Sequence, residues 1–477
     1  MLYKRTDYER EKLLPTSDLE PEPYRSPFRR DYARLIHCPS FRRLQGKTQL
    51  FPGPESDFFR NRLTHSLEVA QIAKSIAIKM NYDHRSHLLR DGSRFEIDTD
   101  LVEFSALAHD LGHPPFGHIG EDALDECMKL HGGFEGNAQT LRIIGKLEKR
   151  DTKGNEGELV DHEGHDLRVG LNLTYRSLAS ILKYDEVIPR ERPERTRVFK
   201  GYYESESELV TKIKQHVVGD PTVKITTVEC SIMDTADDIA YSTYDLEDAF
   251  KAGFLTPLML LAAPDAVYEE VARQTNRKLQ KEYTQQDVQD ILHEIFGEII
   301  PDDDAIVAAS GLGIEDLDSY ARRAVTVKLA YRTSEEIAQN SFYRTNLTSK
   351  FVGEFIRGAH CTVNDDTPEM SIVELSEDTR ERVEVLKHFS YVSQVMSPRL
   401  KIVEYRGKEI VHELFNILME GGIDLLPPDY GILYASVAED EKQRVICDFI
   451  AGMTDRYAVE FYGRLRSVEP QTIFKPL

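Results

Sequence analysis

Long hydrophobic runs are missing from this chain of 477 residues. The most apolar stretch, Phe254 to Ala263, is short and broken by Pro257. No segment reaches the roughly 20 apolar residues that a membrane-spanning helix needs. Cysteine is scarce: five residues, widely spaced and without a CxxC pair, argue against a disulfide framework and a thiolate zinc site. A reduced, cytoplasmic setting is the expectation. The opening Met1-Leu2-Tyr3-Lys4-Arg5 runs into charge rather than an apolar segment, so no secretory signal is expected. Internal repeats, heptad arrays and low-complexity tracts are also absent. Positive charge falls short of negative, 60 Lys and Arg against 82 Asp and Glu, leaving −22. That balance disfavours a general nucleic-acid surface and assigns anion binding to local basic clusters.

What is present is concentrated in Ala106-Leu107-Ala108-His109-Asp110-Leu111-Gly112-His113-Pro114-Pro115-Phe116-Gly117-His118. Leu101, Phe104, Ala108 and Leu111 recur at helical spacing, which places His109 and Asp110 in a last helical turn. Gly112 suits the end of that helix, and Pro114-Pro115 cannot continue it. A new helix is expected near Gly117, with His118 and Glu121 one turn apart on one face. Neutral imidazole and carboxylate together suit a divalent ion, although His-Asp is by itself a common dipeptide.

Two further stretches carry the same residue types. In Arg60-Asn61-Arg62-Leu63-Thr64-His65, followed by Leu67, Val69, Ile72, Ile76 and Met80, the pattern is a buried helix with His65 facing inward and Arg62 one turn before it. In Cys230 to Asp245 the stripe Ile232, Ala236, Ile239, Thr243, Leu246 and Phe250 defines another helix. Asp237, Tyr241 and Asp245 then share one side, and spacing alone does not choose among Asp234, Asp237 and Asp238. An acidic solvent-facing helix and a packed core histidine are the plain alternatives at these places.

Taken together, His, His-Asp and Asp on three helices resemble the HD metal-dependent phosphohydrolases. Phe41-Arg42-Arg43-Leu44-Gln45-Gly46-Lys47-Thr48-Gln49, Phe134-Glu135-Gly136-Asn137-Ala138-Gln139, Leu171-Asn172-Leu173-Thr174-Tyr175, Ala236-Asp237-Asp238-Ile239-Ala240-Tyr241 and Ala451-Gly452-Met453-Thr454-Asp455-Arg456-Tyr457 narrow the match. With the two His-bearing motifs, these blocks run in order from about residue 25 to 465 and resemble the bacterial deoxynucleoside triphosphate triphosphohydrolases, the dGTPase branch.

The resemblance implies a mostly α fold with an HD helical core. The organisation expected is an arm over 1–27, a core over 28–250 with a charged insertion at about 148–168, and a helical region over 251–477 continuous with the core. It implies His65, His109, Asp110 and Asp237 as ligands of a divalent ion (Mn, Mg, Fe or Co), and hydrolysis of a dNTP, dGTP among them, to deoxynucleoside and triphosphate. His118 oriented by Glu121 is then the general acid, and His113 contacts phosphate. Arg62 clamps the phosphates, and Gln45, Tyr241 and Asp245 meet the sugar. Animal relatives carry Lys directly after the last metal Asp, where this chain has Asp238, so another cation such as Lys200 must serve. Other HD enzymes hydrolyse phosphomonoesters or alarmones, which is the second reading; a single-stranded nucleic-acid-binding role ranks last. Family members are commonly hexameric, so a homo-oligomer without membrane contact is expected. Base preference rests on variable C-terminal residues and is not legible. His162 and His165 lie in the charged insertion without apolar support and are not counted as ligands.

Overall fold

In a computed structural model, the residues described are 1–12, 24–49, 59–148, 150–155, 157–163, 165–191, 198–395 and 398–466. The chain is mostly helical, as expected. Among the described residues the named strands are short: Val187–Ile188, Tyr202–Tyr203, Ala359–Thr362 and Ile372–Leu375. The first two pair in parallel, Val187 with Tyr202 and Ile188 with Tyr203. No described helix is long and apolar enough to cross a membrane.

Two compact units divide the chain. The first comprises Met1–Ala236, Cys361–Glu374 and Ile402–Leu477; the second comprises Asp237–His360 and Leu375–Lys401. The chain passes between them within the continuous helices Val228–Lys251 and Pro398–Gly421 and within the strands Ala359–Thr362 and Ile372–Leu375.

Helix starts in the first unit follow their caps. Asn61 accepts the Thr64 amide while the Thr64 hydroxyl returns to the Asn61 backbone, fixing the start of Arg62–Asp83. Asp98 caps Thr99–Ala108 through the Leu101 amide. Leu101, Val102, Phe104, Ala106 and Leu107 of that second helix are all buried. Most of its surface is core, with Asp100 and Glu103 half-buried, and each large apolar side chain there contributes about 1.5–3 kcal/mol. The helix ends at Ala108, so His109 and Asp110 lie in the turn just past it rather than in its last turn. Gly112 packs against the start of the helix Gly136–Arg142 so closely that a Cβ there would lie 2.0 Å from Gly136 O. Any side chain at that position would force the two segments apart.

The next helix, His118–Cys127, buries Ala123 and Leu124 against Ile410, Val411, Leu414 and Leu418 and against Ile446, Cys447 and Ile450. C-terminal helices thus form the back wall of the central motif. Polar anchors join the same elements. Asp455 accepts the amides of Thr48 and Phe116, each at 2.9 Å. Lys47 Nζ donates to the carbonyls of His113 at 2.5 Å and Ala451 at 2.9 Å. The first residues pack on their own chain: Tyr3 donates to Glu229 at 2.8 Å, and Arg10 pairs with Asp31 at 2.6 Å. The rest of the N-terminal arm, residues 13–23, lies outside the described residues.

The second unit is a helical cluster. Val288, Leu292 and Phe296 of Gln285–Phe296 are buried. Phe296 meets Phe351 edge-on with ring centroids 5.9 Å apart, and Phe351 stacks on Phe355. Leu400 to Tyr405, readable from sequence as strand or helix start, falls in the helix Pro398–Gly421.

Candidate metal centre and active site

Two buried imidazoles and a buried carboxylate converge. His65, His109 and Asp237 each offer a ligand atom, all within 4.8 Å of one another. His65 sits one turn into its helix; His109 follows the end of Thr99–Ala108; Asp237 is carried by Val228–Lys251, immediately after its first-unit half. The imidazole rings of His65 and His109 lie 5.5 Å apart between centroids. His109 Nδ1 is 2.7 Å from the Ala106 carbonyl. That contact assigns the proton to Nδ1 and leaves Nε2 its lone pair, the arrangement a metal-binding histidine needs.

Neighbouring acids sort themselves by their partners. Asp234 pairs with Lys183, and Asp238 pairs with Lys387 and lies 4.0 Å from Lys278. Asp237 is the member of the trio that joins the histidines. Asp110 lies beside the group, with Oδ1 at 3.5 Å from His109 Nε2 and 2.9 Å from His113 Nδ1. Its other oxygen accepts from Arg62 Nη1 at 2.7 Å in a pair whose side chains are 1% and 2% exposed. Burial alone would raise the Asp110 pKa, but Arg62, His113 and His109 hold it well below the ordinary carboxylate range. Arg62, expected at the phosphates, has its guanidinium on this carboxylate.

Phe116 and Gly117 both take positive φ, 65° and 60°, which turns the chain sharply into the His118 helix. His118 is 61% exposed in its side chain, and its Nδ1 lies 3.1 Å from Glu121 Oε2. Glu121 is buried, and its other oxygen accepts the Gly136 amide at 2.7 Å. Burial would raise the Glu121 pKa; the His118 contact, His113 and Lys200 bring it below the usual value instead. Burial and Arg62 push the His113 imidazole down to about 4, against the pull of Asp110, so His113 is neutral at neutral pH.

The expected cations and sugar contacts fall in different places. Lys200 pairs with the buried carboxylate of Glu135 at 3.1 Å. Lys387, which sequence reasoning passed over, stands against Asp238 and over the Tyr241 ring, 5.9 Å from its centroid. Burial would lower the Lys387 pKa, but Asp238, Glu384 and Asp237 raise it, keeping the ammonium charged. Tyr241 and Asp245 follow Asp237 at one and two turns along the helix, and Asp245 is buried. Gln45 is exposed. Gln49, four residues on, is buried, and neither its Nε2 nor its Oε1 has a hydrogen-bond partner among the described residues. The segment before it pairs with the start of the His65 helix, Thr48 with Asn61, and Lys47 O accepts the Arg62 amide. A glutamine this close to the motif, in a stretch too short to be a helix face, is the available sequence signal. His162 and His165 are exposed and join no ligand group among the described residues. A cavity of about 460 Å³ lined by Arg34, His37, Arg43 and Tyr430 contains none of these site residues; convergent chemistry locates the centre better than cavity size.

A group of two histidines and one aspartate, with no thiolate, fits a divalent ion that favours nitrogen and oxygen. Residues 62–167 match the HD domain, and residues 373–464 match the phosphohydrolase-associated domain. Fold and site together define an HD-type phosphohydrolase. The chain is 45% identical to deoxyguanosinetriphosphate triphosphohydrolase-like protein 2 of Mesorhizobium japonicum, with all of both chains covered. It is 33% identical to a deoxyguanosinetriphosphate triphosphohydrolase-like protein of Aliivibrio fischeri over 92% of this chain and 93% of that one. A protein of the same name from Histophilus somni is 29% identical, with 93% and 95% covered. The chain belongs to the deoxyguanosinetriphosphate triphosphohydrolase-like family.

Proposed function

We propose that the protein hydrolyses deoxynucleoside triphosphates to a deoxynucleoside and inorganic triphosphate. The observation that carries this reading is the placement of His118, braced by buried Glu121, beside a metal-fitting group of His65, His109 and Asp237. A divalent ion bound there supplies Lewis-acid activation of water and a counter-charge for the phosphate.

The remaining work falls to the chain's own residues. Water attacks the α-phosphorus, the bond to the 5′-oxygen breaks, and that oxygen must take up a proton. His118 is exposed enough to reach it, and the Glu121 contact fixes the ring so that the opposite nitrogen carries the transferable proton. Asp110, expected as the fourth ligand, has its charge met by Arg62 and lies against His113 Nδ1. Lys387 takes the phosphate-side role that Asp238 cannot fill, while Lys200 braces Glu135. On the sugar side, Gln49 is a stronger assignment than exposed Gln45, since its buried amide has no hydrogen-bond partner among the described residues. Tyr241 and Asp245 retain their sugar assignments.

The test is a screen of the four dNTPs with Mn²⁺, Mg²⁺, Fe²⁺ and Co²⁺, with products identified by anion-exchange chromatography. Intact triphosphate and deoxynucleoside are expected. Release of orthophosphate or pyrophosphate instead would move the protein to another phosphohydrolase reaction.

A further inference from the structure

The His118 helix takes part in a second convergence of donors. Ligand atoms of His113, His118 and Glu121 lie within 4.8 Å of one another, and the group shares no residue with His65, His109 and Asp237. The rings of His113 and His118 meet nearly at right angles, 75°, with centroids 5.4 Å apart. His113 Nδ1 is 2.9 Å from Asp110 Oδ1, and Asp110 is fixed from its other side by Arg62. The carboxylate faces the Nδ1 side of the ring, and Nε2 lies on the side turned away from it. A carboxylate behind a histidine in this manner is the usual support of a zinc-binding imidazole. A Cβ placed on Gly136 would lie 3.5 Å from His113 Nε2 and 3.3 Å from Glu121 Oε1, so both donor atoms border the same small space.

We propose that His113, His118 and Glu121 form a second cation site, suited to Zn²⁺ and separate from the first. Two imidazoles, one carboxylate and an open fourth position match the ligand set of three-residue zinc sites. Tetrahedral ligands at bonds of about 2.0–2.1 Å stand about 3.3 Å apart, so the group must contract. Two of its members are buried, and the exposed His118 ring swings inward to supply the contraction. Zn²⁺ binds a nitrogen-rich set more tightly than Mn²⁺ or Mg²⁺, which leaves this position to the softer ion. Occupation takes the His118 lone pair and the Glu121 charge, so zinc at this site inhibits turnover. The inhibition rests on the proposed acid role of His118; the binding does not.

The experiment strips the full-length protein with a chelator, dialyses it against Zn²⁺ and counts bound zinc by mass spectrometry. Two equivalents are expected for the wild type, one for His118→Ala and one for Asp237→Ala. His118 is largely exposed, so its removal leaves the fold intact, as circular dichroism checks. A single equivalent in the wild type, or two in His118→Ala, overturns the proposal. Separately, enzyme already loaded with Mn²⁺ should lose more than tenfold of its dNTP turnover as one zinc binds beside the retained Mn²⁺ and regain it when that zinc is removed. Undiminished turnover with that one zinc bound would remove the inhibitory role and leave the site. Neither zinc count depends on which phosphoester is the substrate.

Discussion

Replacing Arg62 by Leu deletes one half of a buried ion pair and strands the other. Arg62 Nη1 lies 2.7 Å from Asp110 Oδ2, with the side chains 1% and 2% exposed, so water cannot take over the missing role. Breaking such a pair from one side costs about 3–5 kcal/mol, because an uncompensated charge stays buried. Against a total stability on the order of 5–15 kcal/mol, that is a large fraction. The loss should be greatest in metal-free protein, where nothing else neutralises Asp110, and smaller once a divalent ion is bound beside it. A chain with two compact units need not unfold in one step, so native-state hydrogen exchange is the suitable assay. Buried amides of Arg62–Asp83, such as those of Val69 and Ile72, should lose about 3–5 kcal/mol of opening free energy in Arg62→Leu. Adding Asp110→Asn should recover most of it. A loss below about 1 kcal/mol, with no recovery in the double variant, refutes the structural role. If opening energies hold while KM for a dNTP rises tenfold or more, Arg62 is a phosphate clamp.

Three other perturbations follow from the same geometry. Asp237→Ala should remove the metal held with His65 and His109, and turnover with it, while Asp238→Ala, which releases Lys387 and Lys278, keeps that metal; equal metal content in both by mass spectrometry would contradict the assignment. Gln49→Ala should reduce discrimination between dGTP and GTP by about 1–3 kcal/mol in kcat/KM, and Gln45→Ala should leave it unchanged; the reverse ranking would return the sugar contact to Gln45. Asp7 is raised to about 6 by burial, despite Arg176 and its hydrogen bond from the Lys4 amide. Its folded pKa exceeds the unfolded one, so its contribution is full below about pH 4 and is lost as pH rises through about 6, at most about 3 kcal/mol. Asp7→Asn should flatten the fall in thermal midpoint between pH 4 and 7, and an unchanged slope would show that another group controls it.

Local signals carried the parts of the site that depend on neighbours in sequence. The His65 helix has a capping box and a buried stripe, and the central motif announces its turn through Gly112, Pro114 and Pro115, so both were readable. His118 and Glu121 share one helical turn and meet as that spacing requires. What was not readable depends on partners brought from afar. Arg62 reaches Asp110 across the fold, and a surface clamp and a buried brace look alike in sequence. Choosing among Asp234, Asp237 and Asp238 needed Lys183 and Lys387, one before the helix and one 149 residues after Asp238. Gln45 and Gln49 differ because the helical segment stops at Gly46, after which helix-face reasoning no longer applies.

Asp455 closes the two loops that frame the centre, one through the Thr48 amide and one through Phe116, which lies 339 residues earlier. On the ribosome, every proposed metal ligand has been synthesised by residue 237, yet this clasp is still missing. At about 5–20 residues per second, synthesis from Asp237 to Asp455 occupies roughly ten to forty seconds. For that interval the nascent chain holds the ligands without the closure that sets their spacing. A metal captured early would meet an unfinished cage. The chain is therefore arranged to assemble its chemistry late, and a fragment ending before Asp455 should hold all the expected ligands and remain inert.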